Sequence, residues 1–333
     1  MPAKLAEDSF RPAFWLRNPN VQSILPSLAL RRPAVLKHCA ALLRSSRQII
    51  LDCGDDVRLM GYLADAPVAQ VTHAAGSQLA VILHGWEGSA DSMYVLSLGQ
   101  FLLDRGFDVF RLNLRDHGDS HHLNRDIFHS CRLPEVVGAI RRLAELFPRH
   151  RRCFAGFSLG GNFALRVGAA LGPDLATLAR IVAISPVLDP KNTLAALEGG
   201  LALYRRYFIK KWRRSLDIKQ VAWPAFYDFT RLSRNASLTA MTEQLVLDHT
   251  SYASLSNYLS GYAITGEALK DLRVPSRIIA SRDDPIIPAF DLANLQANPA
   301  LRVTLTERGG HCGFREGLFG NAWLHRQIYA EFG

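Results

Sequence analysis

The stretch Arg152-Cys153-Phe154-Ala155-Gly156-Phe157-Ser158-Leu159-Gly160 decides the fold. Arg152 to Phe157 is an apolar run that reads as a strand, and Leu159 to Leu171 has the spacing of a helix. Ser158 is caught between them, inside the pattern G-x-S-x-G, where the motif requires a strand, a sharp turn and a helix in that order. A serine on so tight a turn holds a strained backbone. Side chains at the flanking positions would collide with neighbouring chain, and glycine removes the collision. The hydroxyl is then left exposed at the helix N-terminus.

The same alternation runs outward in both directions. Upstream, Arg47 to Cys53 and Val57 to Ala64 read as a hairpin about Gly54-Asp55-Asp56. Strand Leu79 to Leu83, helix Ala90 to Arg105 and strand Phe107 to Leu112 follow, then a helix from about Pro134 to Phe147. Downstream come strand Arg180 to Ser185, strand Ser276 to Ala280, helix Ala289 to Ala297, strand Leu301 to Thr306 and helix Leu318 to Phe332. Continuous apolar strands alternating with helices predict an α/β fold with a mostly parallel central sheet covered on both faces. Between Asp189 and Leu272 the strand signal disappears and helical, aromatic-rich sequence replaces it. The expected organisation is therefore an N-terminal arm over 1–46, a core over 47–188 and 273–333, and a helical cap inserted over 189–272.

A serine hydroxyl is a poor nucleophile until a base takes its proton. His311, in Gly309-Gly310-His311 after the last strand, is placed for that role. The carboxylate that would orient it is expected after the preceding strand, in Ser281-Arg282-Asp283-Asp284-Pro285. Asp284 is preferred because it directly precedes Pro285-Ile286-Ile287-Pro288, with Asp283 the alternative and Asp189 a third choice. Developing negative charge on a substrate oxygen needs fixed donors. The backbone N–H of Leu159, after the nucleophile, and that of Trp86, in His84-Gly85-Trp86-Glu87-Gly88-Ser89, are the expected pair. His117, His121 and His122 form a competing cluster, but no carboxylate pattern accompanies them and no metal site is assigned.

The 333 residues carry a net charge of +9, are 48% hydrophobic and 21% charged, and so can bury a large core. No nucleic-acid module accompanies the positive charge. The five cysteines are scattered, without CxxC spacing, and fit a reducing compartment. Met1 to Asn20 is interrupted by charges and prolines, so neither a signal peptide nor a membrane span is expected, and the localisation read from this is cytoplasmic. Leu201 to Leu216 places Leu201, Tyr204, Phe208, Trp212 and Leu216 at helical spacing, with six basic residues opposite. Two readings follow for 201–216: a cap helix with its aromatic stripe against the core, or a weak peripheral contact with anionic membrane.

Taken together, these residues resemble the α/β-hydrolase superfamily and, more narrowly, its AB hydrolase 4 family of esterases, medium-chain ester synthases and lipid hydrolases. The resemblance runs through Asn18-Pro19-Asn20-Val21-Gln22-Ser23-Ile24, His84 to Ser89, Asn113-Leu114-Arg115-Asp116-His117-Gly118, Gly156 to Asn162, Asp283-Asp284-Pro285 and Gly309 to Phe314. It implies the α/β-hydrolase fold, a Ser158-His311-Asp284 triad, an acyl-enzyme intermediate, a small-molecule ester substrate of lipid-like character and no cofactor. Acyl transfer to an alcohol by the same triad is one alternative. A binding protein that turns nothing over is another. Asp116 departs from the Arg-Gly that the narrower family carries, and the segment 189–272 diverges throughout.

Overall fold

The computed structural model describes residues 10–67, 77–172, 177–230, 232, 237–318 and 322–333. Short helices α1 (Pro19–Ile24), α2 (Arg32–His38) and α3 (Ala40–Ser45) precede the antiparallel hairpin β1 (Ser46–Asp52) and β2 (Arg58–Ala64). Then come β3 (Gln78–Leu83), α4 (Met93–Leu103), β4 (Phe107–Leu112), α5 (Leu133–Leu146), β5 (Arg151–Phe157), α6 (Leu159–Leu171) and β6 (Arg180–Ile184). Four helices follow without a strand: α7 (Pro190–Gly199), α8 (Ala202–Ala222), α9 (Leu238–His249) and α10 (Leu255–Ser260). The chain ends with β7 (Ser276–Ser281), β8 (Leu301–Thr306) and α11 (Trp323–Phe332).

The strands form one eight-stranded sheet in the order β1-β2-β4-β3-β5-β6-β7-β8, parallel from β4 onward. Alternate residues of β3 serve opposite faces, as the two-residue period of a strand demands. Leu79, Val81 and Leu83 join the core beneath α5 and α6, while Ala80 and Ile82 join the core beneath α4 and α11. That double burial explains why β3 and β5 read as unbroken apolar runs. Register sets Leu83 opposite both Leu112 and Gly156, and Ile184 opposite Phe157 and Ile279, so the loops that leave these strands share one edge of the sheet.

Three helical expectations change. Helix α4 starts at Met93 rather than Ala90, because residues 85–92 close turns of their own, with Gly88 N–H donating to Gly85 O and Ala90 N–H to the Asn113 side chain. The expected helix Ala289 to Ala297 is a 3-10 turn, Ala289–Asn294, that ends when Leu295 goes extended to bridge Gly266. Helix α11 begins at Trp323, and 319–321 lie outside the described residues, as do the first nine residues of the expected arm. From Phe10 onward the N-terminal segment packs inward, Phe10 lying 5.5 Å from the ring of Trp323.

Helix α8 turns the aromatic stripe of 201–216 toward the protein. Tyr204 and Leu216 are buried, Phe208 stacks on Trp86 at 5.2 Å, and Trp212 meets Trp86 edge-on at 5.2 Å. The membrane reading of 201–216 needed that stripe facing outward, so it is not supported. The helix is instead fastened by charge. Lys219 is 1% exposed and donates to Asp116 Oδ1 at 2.8 Å and to Asn124 O at 2.6 Å. Asp116 holds a left-handed backbone (φ +56°), a conformation that glycine or a small polar residue tolerates. Its carboxylate also accepts from Phe128 N–H at 2.8 Å. The departure from Arg-Gly thus supplies the anchor for Lys219.

Burial pushes the Asp116 carboxyl up to about 6 and the Lys219 ammonium down, even though each favours the other's charged form. Removing one partner should therefore leave an uncompensated buried charge, at a cost of about 3–5 kcal/mol. Lys219→Met is expected to show that loss in denaturant unfolding. The double variant Asp116→Asn, Lys219→Met is expected to recover most of it, and an unchanged midpoint for Lys219→Met alone would show that the pair fastens nothing.

Candidate active site

Ser158 is the N-cap of α6 and sits at φ +53°, ψ −118°, a region an L residue enters only when its surroundings force it. The forcing is visible at two glycines. A Cβ on Gly156 would lie 2.2 Å from Gly160 O, and one on Gly160 would lie 2.4 Å from His84 O. Both contacts are with backbone, so nothing can move aside cheaply. The turn is also pinned from within the sheet, where Ser158 N–H donates to Ile184 O at 2.8 Å.

His311 arrives from the loop after β8. Its Nδ1 lies 2.9 Å from Asp284 Oδ2. The other carboxylate oxygen of Asp284 accepts from Ile286 N–H at 2.8 Å and Ile287 N–H at 2.9 Å, so the Pro285-Ile286-Ile287 backbone orients the acid. Asp283, its neighbour, accepts instead from Gly310 N–H at 2.9 Å. Ser281 Oγ donates to Gly310 O at 2.8 Å, which ties the loops after β7 and β8 together. The third candidate acid, Asp189, caps α7 by accepting from Lys191 N–H at 2.8 Å. Burial alone would depress His311. The Asp284 carboxylate and the adjacent Cys312 thiol outweigh it and hold the imidazolium well above its ordinary range.

Ser158 and His311 line one cavity of about 610 Å³ with Trp86 and Leu159. Ser158 Oγ makes no hydrogen bond to the imidazole among the described residues. The backbone donors around the serine divide clearly. Gly85 N–H goes to Tyr94 Oη at 3.0 Å, Glu87 N–H to His117 Nε2 at 3.2 Å, and Ser158 N–H to Ile184 O. The N–H groups of Trp86 and Leu159, which lie between these, donate to nothing among the described residues. Two unengaged amides beside a strained serine form a place where negative charge on oxygen can be held.

The histidine cluster of the sequence has other work. His117 donates from Nδ1 to Arg115 O at 2.7 Å, and His121 Nε2 lies 2.9 Å from Ser215 Oγ on α8. Among the described residues no group of histidine, cysteine and carboxylate side chains is arranged to hold a metal ion.

Several contributors carried no readable chemistry in the sequence. Ser23 Oγ accepts from His311 N–H at 2.8 Å, and Gln22, fully buried, donates to Arg315 O and accepts from Arg315 N–H. Thus α1 holds the histidine loop. Gly310 and Gly313 approach its backbone so closely that a Cβ on either would lie 2.4 Å from an α1 carbonyl oxygen. The only available signal was the Asn18 to Ile24 motif itself, which carried family likeness without a stated role.

Residues 80–318 match the family described as alpha/beta hydrolase fold. The chain is 25% identical over 255 residues to the Escherichia coli (strain K12) protein named "Putative esterase YheT", covering 75% of this chain and 73% of that one. It is 21% identical over 333 residues to the Bos taurus phospholipase ABHD3, covering 97% and 76%. Among solved structures, an esterase of Pyrococcus furiosus superposes with a TM-score of 0.55 at 18% identity, covering 86% of this chain and 91% of that one, a likeness of fold.

If His311 is the base, its Nε2 must be neutral to take a proton. The raised imidazolium pKa then places the rising limb of the pH profile above the ordinary histidine value near 6.5. Asp284→Asn should shift that limb to lower pH and slow reaction with a fluorophosphonate by about 10⁴-fold. Asp283→Asn should slow it far less and leave the limb in place. The reverse ranking would reassign the acid.

Proposed function

The chain belongs to the alpha/beta hydrolase fold family, and from that premise we propose that it is a serine hydrolase that cleaves carboxylic esters of acyl, lipid-like character through Ser158, His311 and Asp284. Membership of the fold and relatives named as esterases and lipases support hydrolysis in general terms. The finer reading is carried by one observation: the His311–Asp284 bond at 2.9 Å lies on the same cavity as a serine held at φ +53°. Fold alone would not suffice, because function resides in the site.

In the proposed reaction Ser158 Oγ attacks the ester carbonyl carbon while His311 Nε2 takes the hydroxyl proton. Asp284 stabilises the imidazolium without itself taking the proton. The N–H groups of Trp86 and Leu159 hold the tetrahedral oxyanion. Its collapse expels the alcohol, which receives the proton from His311 and leaves an acyl-serine. Water, activated by His311, attacks that acyl group and the serine is restored. An alcohol in place of water would give acyl transfer with the same residues.

The acyl portion is assigned to the apolar part of the cavity, where Ile24, Leu28, Met93, Leu194, Leu197 and Leu203 contribute. On this reading 189–272 is a cap, since α7 and α8 supply part of that wall. No helix among the described residues is long and apolar enough to cross a membrane. The cytoplasmic setting stays part of the proposal and rests on five free cysteines.

Intact-mass analysis after treatment with a fluorophosphonate tests the proposal without a chosen substrate. One adduct on the native chain and none on Ser158→Ala is the expected result. A folded native chain that takes no adduct would displace it in favour of the binding-protein alternative.

A further inference from the structure

Glu87 follows Trp86 directly and holds a left-handed backbone, φ +56°. Its main chain is clamped on both sides. The N–H donates to His117 Nε2 at 3.2 Å, and the carbonyl oxygen accepts from Lys211 Nζ at 2.8 Å. Glu87 lines the cavity of Ser158 and His311, and its carboxyl has no hydrogen bond or ion pair with any described residue. The residue is half-buried and stands two positions from Gly85, whose backbone packs on Ser158, so a carboxyl without a protein partner is open to a ligand in the same cavity.

We propose that Glu87 is a specificity-determining residue that hydrogen-bonds a free hydroxyl on the ester substrate, an inference that rests on the ester-hydrolase reading of this same cavity. The surroundings select the partner. Burial, opposed by Lys211 and reinforced by Asp116, pushes the carboxyl up to about 8, so near neutrality it is largely the acid. A carboxylic acid carries one donor and accepting oxygens, which a hydroxyl can answer in both directions. A cationic headgroup would meet the Lys211 ammonium beside an acid with little charge to offer. That ammonium donates to the Glu87 carbonyl and lies 5.1 Å from the centre of the Tyr207 ring, so part of its donor capacity is taken up within the protein.

The test separates binding from turnover. In the Ser158→Ala background, calorimetry would compare 1-O-octylglycerol with octyl propyl ether, a hydroxyl-bearing and a hydroxyl-free ether that no hydrolase can cleave. The hydroxyl-bearing ether is expected to bind about tenfold more tightly, the size of one well-made hydrogen bond. Adding Glu87→Leu should bring the ratio to about one, while Glu87→Gln, whose amide both donates and accepts, should retain most of the preference. A ratio unchanged by Glu87→Leu, or lost equally in the Leu and Gln variants, would overturn the assignment. So would an octyl phosphate or octyltrimethylammonium probe that outbinds the glycerol ether through Glu87. Fluorophosphonate labelling of Glu87→Leu with Ser158 intact keeps the two readings apart. A labelled variant with an unchanged ratio removes Glu87 alone, whereas a native chain that never labels removes the hydrolase reading.

Discussion

The backbone of Ser158 and the chain packed against it form the constraint on which the site depends. A left-handed serine between a buried strand and a buried helix persists only while the surrounding chain holds it. Here Gly156 and Gly160 let α6 rise off β5 with carbonyl oxygens of α6, β3 and the His84 loop closer than any Cβ would permit. The same close approach brings the His84-Gly85-Trp86 turn over the serine. The Trp86 turn and Ser158 are thus positioned by one packing event, and a side chain at either glycine would disturb both at once.

From that centre, support extends along two routes. The histidine loop rests on α1, through Ser23 and the buried amide of Gln22, although 288 residues separate Ser23 from His311. Residues 16–24 are therefore part of the framework around the His311 loop. The second route runs through the loop after β4. Asp116 anchors Lys219 of α8, while His117, one residue on, accepts the Glu87 N–H. The wall of the cavity contributed by α8 and the turn carrying Trp86 are consequently fastened to the same loop.

The placement of Ser158, His311 and Asp284 along one edge of the sheet was legible in the sequence because a parallel sheet delivers successive strand ends to one edge, and loops there can be assigned from strand order alone. Asp284 could be preferred over Asp283 through the Pro285-Ile286-Ile287 tail, whose amides orient it. Ser23, Tyr94, Glu87 and Lys219 were not legible, because their roles depend on which distant backbone atom lies beside them. The stripe on α8 illustrates a related limit. Periodicity finds an apolar face without saying what covers it, and Trp86 covers this one. The 3-10 turn at Ala289–Asn294 shows local helix propensity yielding to a tertiary contact, the bridge of Leu295 to Gly266.

The buried imidazoles behind the Trp86 turn also bear on how the site responds to pH. His84 donates from Nδ1 to Gly85 O at 2.7 Å and accepts the Leu114 N–H at Nε2; His117 repeats the pattern with Arg115 O and the Glu87 N–H. Amides can only donate and carbonyls only accept, so both rings are fixed as neutral Nδ1–H tautomers. Protonating either would set two N–H donors against each other, and burial accordingly lowers His84 to about 4 and His117 well below its ordinary value. The two rings lie 4.9 Å apart, so charge on one would also oppose charge on the other. His311 moves the opposite way, because a carboxylate faces it. The fold therefore treats these three histidines differently: His84 and His117 are kept neutral as spacers behind the Trp86 turn, while His311 holds its proton more readily. The two spacers and His311 thus titrate in separate ranges, so the Trp86 turn keeps its hydrogen bonds while His311 gains or loses its proton.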